Sequence, residues 1–511
     1  MKKVSRVFYI AAAIILVVVF FGAITPESLD SVTENLQNWI TDSFGWYYLF
    51  LVTGIVLICL FFIVSPMGQI TLGKPDEKPE YSFISWIAML FSAGMGIGLV
   101  FFGTAEPLSH YAIHPATESP ETQEAFFEAM RFTFFHYGIH AWAVYSAVAM
   151  PLAYFQFRKE EPGLISTTLK PLFGERMKGF SGTIVDVLTV FATVFGVATT
   201  LGFGAMQING GMSFLFGLPV SFFVQFLIIV IVTILFIISA WTGISKGIKY
   251  LSNANMVFAV ILLVLVIIIG PTIFLFNTFV DSVGTYIQNI PQMSLRAAPL
   301  STENREWIND WTIFYWAWWI SWSPFVGMFI ARVSKGRTIR QFLLAVLFLP
   351  TFVSSLWFAV FGGTAINIQR NVTDLTGFLT EETLFAVFDT LPISTWLSII
   401  AILLITTFFI TSADSATHVL GMQTTNGSLN PAVSVKVIWG VAQSAIAVIL
   451  LSAKGLDALQ NALIIAALPF SIILILMIVA FSKAIYEERE EMGLKVRPYS
   501  DYEKNEVEEK E

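Results

Sequence analysis

Residues 84–103 read ISWIAMLFSAGMGIGLVFFG, an apolar run of membrane-crossing length that carries Gly94, Gly96 and Gly98 near its middle. Glycine weakens a helix and lets another group approach the backbone closely. Backbone without helical hydrogen bonds is tolerated at membrane depth only where protein covers it or a cavity adjoins it. We therefore predict an interrupted helix beside an internal cavity. The other use of such glycines is tight packing between helices.

Similar apolar runs recur along most of the chain, which has 511 residues, 56% of them hydrophobic and 13% charged. A helix needs about 20 apolar residues to cross a bilayer. The sequence predicts an all-α membrane protein with twelve transmembrane helices. The predicted spans are 7–24, 46–65, 84–103, 127–156, 184–209, 219–243, 253–277, 309–333, 339–362, 392–422, 433–453 and 459–483.

Basic residues mark the cytoplasmic loops of membrane proteins. Lys and Arg fall in every second loop of the predicted topology, at Lys74, Lys78, Arg158, Lys159, Lys246, Lys249, Lys335, Arg337 and Arg340. The loops between them are poor in basic residues. Both termini are therefore predicted to be cytoplasmic, in agreement with an even number of spans.

A second unusual span contains Ser321-Trp322-Ser323-Pro324, and its proline removes a backbone donor. This span, the eighth, lies five spans after the glycine-rich third, and an odd separation inverts the direction of the chain. Interrupted helices at matching places in two inverted halves indicate a transporter with a midplane site.

We accordingly predict one integral domain (1–511) built from two inverted five-helix repeats, spans 3–7 at 82–278 and spans 8–12 at 309–483. Two additional helices (1–70) precede them. An external connector (279–308) with a probable amphipathic helix between Val280 and Leu300 joins the repeats, and a charged cytoplasmic tail (484–511) follows.

Aromatic residues crowd the eighth span, where Trp316, Trp319 and Trp322 recur at intervals of three. Indole faces inside a helical bundle bind quaternary ammonium groups, which have no hydrogen to donate. The fourth span adds Tyr137, Trp142 and Tyr145. The alternative for any single ring is a core-filling or lipid-facing position.

Two segments resemble the diagnostic sequences of the betaine/carnitine/choline transporters: Ala93–Leu99 with Glu106-Pro107, and residues 311–332, WTIFYWAWWISWSPFVGMFIAR. The resemblance extends over spans three to twelve and implies an amino-acid/sodium symporter-like fold. It also implies an aromatic box for a trimethylammonium group, formed by Tyr137, Trp142, Tyr145 and Trp319. Many members have tryptophan at the position of Tyr137.

Other substrate residues also follow from this resemblance and from the interrupted helix. Trp318 and Trp322 are expected along the access path, with Trp316 on the same aromatic helix. The backbone at Gly94, Gly96 and Gly98 is expected to offer free N–H groups to a carboxylate. Choline-type members tend to carry an acidic residue at the position of Gly98, so glycine there favours a zwitterion such as glycine betaine.

Sodium is the only metal that the resemblance implies, as the coupling ion, and no cofactor is expected. The principal sodium site is expected at hydroxyl and carbonyl oxygens, which hard cations prefer. Its residues would be Ser92, Met95, Phe408, Thr411 and Ser412. A possible second site would use Thr193 and Phe325, although Val197 stands where family members have a partner hydroxyl.

Two further polar features are open to interpretation. Asp414 lies within a predicted span, either as a functional carboxylate or as a cap at the inner helix end. His136 and His140 have a spacing that can chelate a metal, but no third ligand is evident, and we interpret them as packing or gating residues.

The sequence thus predicts a secondary transporter of a bacterial plasma membrane that imports glycine betaine with sodium. Within transport, the alternative is movement of choline or carnitine. Outside transport, the alternative is an osmosensor. An ion channel needs a continuous polar lining and an enzyme needs a nucleophile with its base, and the sequence shows neither pattern. No nucleic-acid partner is expected, and the resemblance implies a homotrimer.

Overall fold

The computed structural model describes residues 4–94, 96–242 and 245–491. The chain is all-helical in these ranges apart from one isolated bridge between Thr71 and Thr338, as the sequence predicts. The first two helices are α1 (Arg6–Ile24) and α2 (Pro26–Val64). α2 begins well before residue 46, where the predicted span starts. The first half of the helix is polar, so the apolar pattern that indicates a span does not reveal it.

The remaining helices follow in chain order. The first repeat and connector contain α3 (Phe83–Gly94), α4 (Ile97–Leu108), α5 (Gln123–Tyr137), α6 (Ile139–Ala153), α7 (Ile165–Thr168), α8 (Lys170–Phe173), α9 (Phe180–Phe216), α10 (Phe222–Thr242), α11 (Ser245–Ile269) and α12 (Thr272–Ser294). The rest contains α13 (Thr302–Trp307), α14 (Phe314–Val333), α15 (Ile339–Asn371), α16 (Thr383–Asp389), α17 (Ser394–Gln423), α18 (Val433–Lys454) and α19 (Leu456–Glu491). The predicted tail beyond residue 491 lies outside the described residues.

Within the described ranges, nine helices are long and apolar enough to cross a membrane. The other three predicted spans correspond to the pair α3/α4, the pair α5/α6, and α14. Each member of the two pairs has at most 15 residues. The total of twelve spans therefore stays a prediction.

Large apolar side chains cover the outward faces of the peripheral helices. On α1, α10 and α11 they include Leu16, Phe20, Phe223, Trp241 and Ile268, each more than 60% exposed. A contiguous apolar surface of this kind is unfavourable in water and suits lipid. α14, by contrast, lies inside the bundle against α6, α9 and α19. The chain is a multi-pass membrane protein.

The third span is interrupted, as its glycines predict. α3 ends at Gly94 and α4 begins at Ile97, with Gly96 in an extended conformation between them (φ −142°, ψ −162°). Met95 lies outside the described residues. The start of α4 therefore offers free backbone N–H groups inside the bundle.

The eighth span is not interrupted, and this prediction is wrong. α14 continues through Pro324 to Val333. The proline leaves the carbonyl of Ile320 without its usual amide donor. Ser323 replaces that donor, because its hydroxyl donates to the Ile320 carbonyl at 2.7 Å. The two predicted repeats are therefore not broken at matching places.

The fourth span contains a break that the sequence reasoning missed. α5 ends at Tyr137 and α6 begins at Ile139, with Gly138 (φ −90°, ψ −143°) as the joint. The freed N–H of Ile139 donates to the hydroxyl of Tyr286 at 3.2 Å. A Cβ at Gly138 would come within 2.6 Å of that hydroxyl oxygen, so glycine is needed for the close approach.

Tyr286 belongs to the connector helix α12, which starts earlier than the predicted Val280–Leu300. α11 ends before Gly270-Pro271, and the new helix begins at Thr272 because proline is well suited to precede a first turn. α12 packs on α5 and α15 and buries Leu275, Tyr286 and Met293. The connector thus supports the broken fourth span.

We predict that Tyr286→Phe destabilises the protein by about 1–3 kcal/mol, because the Ile139 N–H would be buried without an acceptor. The apparent unfolding temperature of the detergent-solubilised protein measures this effect. Tyr9→Phe is the matched control, since Tyr9 is 63% exposed on α1. Equal unfolding temperatures for the two variants would contradict the role of the Tyr286 hydroxyl.

Candidate functional site

α4, α6 and α14 meet at a buried cavity of about 30 Å³. Its lining combines aromatic rings with small residues that leave room between the rings: Gly96, Gly98, Leu99, Tyr137, Ala141, Trp142, Tyr145, Trp318, Trp319, Trp322 and Ser354. A volume of this size holds water but no larger molecule. We call it the aromatic cavity.

The four residues predicted to form the aromatic box lie together at this cavity. The Trp319 ring lies 5.2 Å from the Tyr137 ring and 6.1 Å from the Tyr145 ring, both edge to face. Trp142 contacts Tyr145 at 5.5 Å. Trp318 stacks on Trp319 at 5.1 Å with an interplanar angle of 10°. The lining therefore presents ring faces and edges from two spans.

Trp319 is held in place by the break in the fourth span. Its indole N–H donates to the carbonyl of His136 at 2.9 Å. In an unbroken helix that carbonyl would accept the amide of His140, and the joint at Gly138 releases it. The Tyr137 hydroxyl similarly donates to the carbonyl of Gly98 at 3.2 Å. The break at Gly138 thus positions Trp319, and the first turn of α4 positions Tyr137.

Gly96 and Gly98 give the tryptophans of α14 their space. A Cβ on Gly98 would stand 2.4 Å from Cη2 of Trp318, and one on Gly96 would stand 3.1 Å from Cη2 of Trp322. The first distance is shorter than any real contact between carbon atoms. Glycine at residue 98 is therefore required by the packing of Trp318.

One residue named for the substrate site lies elsewhere. Trp316 is outside the aromatic cavity, stacked on His140 at 5.3 Å and against Phe135 at 5.1 Å. Gly94 ends α3, and its part in the substrate site stays a prediction. Conversely, Leu99, Ala141 and Ser354 line the cavity although no sequence signal distinguishes them.

Several polar atoms of the lining have no hydrogen-bond partner among the described residues. They are the hydroxyl oxygen of Tyr145 and the indole nitrogens of Trp318 and Trp322. Buried polar groups are nearly always paired, so these three can bond to water or to polar atoms of a ligand in the cavity. The sequence indicates these residues as aromatic ring faces and gives no signal that their O–H and N–H groups are free to donate.

The residues expected at the principal sodium site belong to α3 and α17. The Thr411 hydroxyl is 2.9 Å from the Thr407 carbonyl, and the side-chain amide of Asn255 donates to it at 3.0 Å. Phe408 is buried and Ser412 half-buried on the same helix. Ser92 lies in α3 with an undescribed side chain, and Met95 is outside the described residues. Asn255 was missed, although an Asn in an otherwise apolar run is a signal.

The residues expected at a second sodium site, Thr193 and Phe325, are both buried. The Thr193 hydroxyl donates to the carbonyl of Thr189 at 2.8 Å, as hydroxyls in apolar helices often do. Phe325 lines a separate cavity, which we describe next. The second site stays a prediction.

Two larger cavities adjoin the aromatic cavity, named here for the predicted topology. The inner cavity, about 520 Å³, is lined by Phe325, Arg332, Asp414 and His418 among others. The outer cavity, about 340 Å³, is lined by Phe102, Trp311 and Phe314 among others. Asp414 lies within α17, which continues to Gln423, so its interpretation as a cap at the helix end is wrong.

Known proteins similar to this chain are transporters. Residues 6–490 match the betaine/carnitine/choline family transporter profile. The glycine betaine transporter OpuD of Bacillus subtilis is 57% identical over 96% of this chain and 96% of its own length. An ectoine/hydroxyectoine transporter of Virgibacillus pantothenticus is 46% identical over 94% and 96%. A glycine betaine transporter of Acinetobacter baylyi is 42% identical over 92% and 72%.

Both the length of the matched region and the identity to these relatives establish the relationship. The matched profile covers every helix in the described residues almost to its end. The aromatic cavity lies between the third, fourth and eighth spans, and the third and eighth carry the two diagnostic segments. The chain belongs to the betaine/carnitine/choline family of transporters, and it is not an enzyme.

Proposed function

We propose that this protein carries glycine betaine together with sodium across a bacterial plasma membrane by alternating access. The observation that carries the proposal is the cluster of Tyr137, Trp142, Tyr145 and Trp319 at one buried cavity. Each desolvated contact between a ring face and a trimethylammonium group contributes about 2 kcal/mol. The two glycine betaine transporters among the relatives support this substrate.

The carboxylate of glycine betaine also finds donors at the cavity. The unpaired indole N–H groups of Trp318 and Trp322 and the Tyr145 hydroxyl belong to the lining. The N-terminus of α4, beginning at Ile97, adds free backbone N–H groups and the positive end of a helix dipole. A substrate with a cation at one end and an anion at the other fits this division better than choline does.

The positions of the three cavities support alternating access. Trp318 packs against Phe102 and Phe314, which line the outer cavity, at 5.9 and 5.6 Å. Trp322 packs against Phe325, which lines the inner cavity, at 5.6 Å. One ring layer therefore separates the aromatic cavity from each side. In the proposed cycle, the two layers part in turn to admit and release the substrate.

Sodium coupling rests on the oxygen atoms around Thr411. Its hydroxyl oxygen accepts one hydrogen bond from Asn255 and keeps a lone pair for a cation. The amide oxygen of Asn255 is buried without a partner among the described residues. Oxygen ligands of this type suit sodium.

The cytoplasmic location of both termini and the homotrimer stay predictions.

Uptake into proteoliposomes tests the proposal. Radiolabelled betaine should accumulate only under an inward sodium gradient, and unlabelled betaine should compete better than choline or carnitine. Ectoine is the second competitor of interest, because one relative is an ectoine/hydroxyectoine transporter. Accumulation without a sodium gradient would contradict sodium coupling. Stronger competition by ectoine than by betaine would contradict betaine as the substrate.

Trp319→Ala should abolish measurable uptake and weaken betaine binding by about 30-fold, since about 2 kcal/mol of cation–π attraction is lost. Trp319→Phe keeps a ring face but loses the hydrogen bond to His136, and should retain weak binding. Trp241→Ala is the control, because Trp241 is 70% exposed on α10. Normal affinity in Trp319→Ala would reject the aromatic box.

Gly98→Ala should reduce uptake severely, because its methyl group would displace Trp318. The matched control is Gly54→Ala in α2, where nothing lies within 4 Å of the added methyl group. Uptake rates normalised to the amount of protein in the vesicles give the comparison. Equal rates for the two variants would show that uptake does not depend on the close contact between residue 98 and Trp318.

Thr411→Ala should raise the sodium concentration for half-maximal uptake by about tenfold, the loss of one charge-assisted contact of about 1.5 kcal/mol. Thr407→Ala is the control one turn earlier, where the hydroxyl bonds only to Leu403 and Leu404 carbonyls of its own helix. The sodium dependence of uptake is the readout. An unchanged dependence in Thr411→Ala removes this residue from the ion site.

A further inference from the structure

Three side chains that can bind metal lie together between the aromatic cavity and the outer cavity. Glu106 is on α4, His110 is in the π-helical turn Ser109–Ile113 that follows, and His136 is on α5. Oε1 of Glu106 is 2.7 Å from Nδ1 of His136 and 3.4 Å from Nε2 of His110. One ligand atom from each lies within 4.8 Å of the other two, and all three side chains are fully buried.

The imidazole of His110 provides the second observation. Both of its nitrogens are buried without a hydrogen-bond partner among the described residues. Its ring lies between the indoles of Trp307 and Trp311, at 4.9 and 4.5 Å, which exclude water. A buried imidazole nitrogen without a partner is unfavourable, and a ligand that accepts the lone pair of Nε2 would remove the cost for that nitrogen.

We propose that Glu106, His110 and His136 form a binding site for a divalent transition-metal ion, of which zinc fits best. Two imidazole nitrogens and one carboxylate oxygen are a common zinc ligand set, with a fourth position left for water. Sodium and calcium prefer oxygen ligands alone, so this site differs in chemistry from the sodium site. The sequence showed no third ligand beside His136 and His140, because Glu106 and His110 approach His136 only in the fold.

The hydrogen bonds around Glu106 and His136 permit the metal to enter while the remaining polar atoms of these two side chains stay paired. Nδ1 of His136 would bind the metal, and its proton would move to Nε2, which lies 3.1 Å from the Thr312 hydroxyl. Glu106 would bind through Oε1 and keep the Tyr315 hydroxyl on Oε2. Oriented partners of this kind are typical of metal-binding residues.

Access to the site is from the outer cavity. Trp311 covers the His110 ring and also lines the outer cavity, so a rotation of this one side chain opens the path. The bound ion would join α4, the π-helical turn and α5. Because His136 also holds Trp319 through its carbonyl, and Tyr315 stacks on Trp319 at 5.7 Å, zinc is expected to slow uptake. This last consequence rests on the proposed function.

Cobalt absorption tests the site directly and without substrate. The full chain, purified without a histidine tag, should bind one Co²⁺ with visible d–d bands typical of a four-coordinate site, and Zn²⁺ should remove them. His110→Ala should weaken Co²⁺ binding by about tenfold or more. His140→Ala is the matched control: this buried imidazole bonds to Ser294 and stacks on Trp316, and the bands should remain.

Glu106→Gln provides a second variant of nearly the same shape, and it should also lose the bands. Thermal unfolding of each variant without metal identifies any that fail to fold. Absence of bands in the wild-type protein, or bands of equal strength in folded His110→Ala, would overturn the proposal. In vesicles, Zn²⁺ should slow uptake by the wild-type protein. Normal Co²⁺ binding without any uptake would leave the metal site standing and reject only the transport proposal.

Discussion

The hydrogen bond from the Trp319 indole to the His136 carbonyl connects the backbone of this protein to its proposed site. It exists because α5 and α6 are separated at Gly138, where a helix that continued would have used the same carbonyl. In hydrocarbon, an unpaired carbonyl is strongly unfavourable. The break therefore creates a strong acceptor at membrane depth, and the ring that satisfies it becomes the fixed side of the aromatic cavity.

Side chains also hold the other interrupted span in place. At the start of α4, the carbonyls of Gly98, Leu99 and Val100 accept hydrogen bonds from the side chains of Tyr137, Trp357 and Gln207. These donors come from α5, α15 and α9, so the irregular segment is tied to three different parts of the bundle. Long aromatic and amide side chains thus anchor the first turn of α4 to the surrounding helices beside the aromatic cavity.

Sequence patterns predicted the helical fold and the aromatic cluster but not the detailed geometry. Trp316, Trp319 and Trp322 are spaced by three residues, a pattern that predicts one shared helix face. A helix turns by about 100° per residue, so each step of three residues falls about 60° short of a full turn. Trp316 is consequently turned toward His140, whereas Trp318, Trp319 and Trp322 fall within about 100°. The break at Gly138 and the intact helix at Pro324 depend on Tyr286 and Ser323, which act as local partners that no periodicity reveals.

The three tryptophans at the cavity differ in their hydrogen bonding, and this difference indicates how the cavity opens. At about 30 Å³ it cannot hold glycine betaine, so rings must move before the substrate binds. Trp319 is tied to backbone, but the indole nitrogens of Trp318 and Trp322 have no partner among the described residues. Trp318 faces the outer ring layer and Trp322 the inner one. In the proposed cycle, Trp319 binds the ammonium group throughout. Trp318 and Trp322 each move on their own side, and their indole N–H groups then donate to the carboxylate of the substrate.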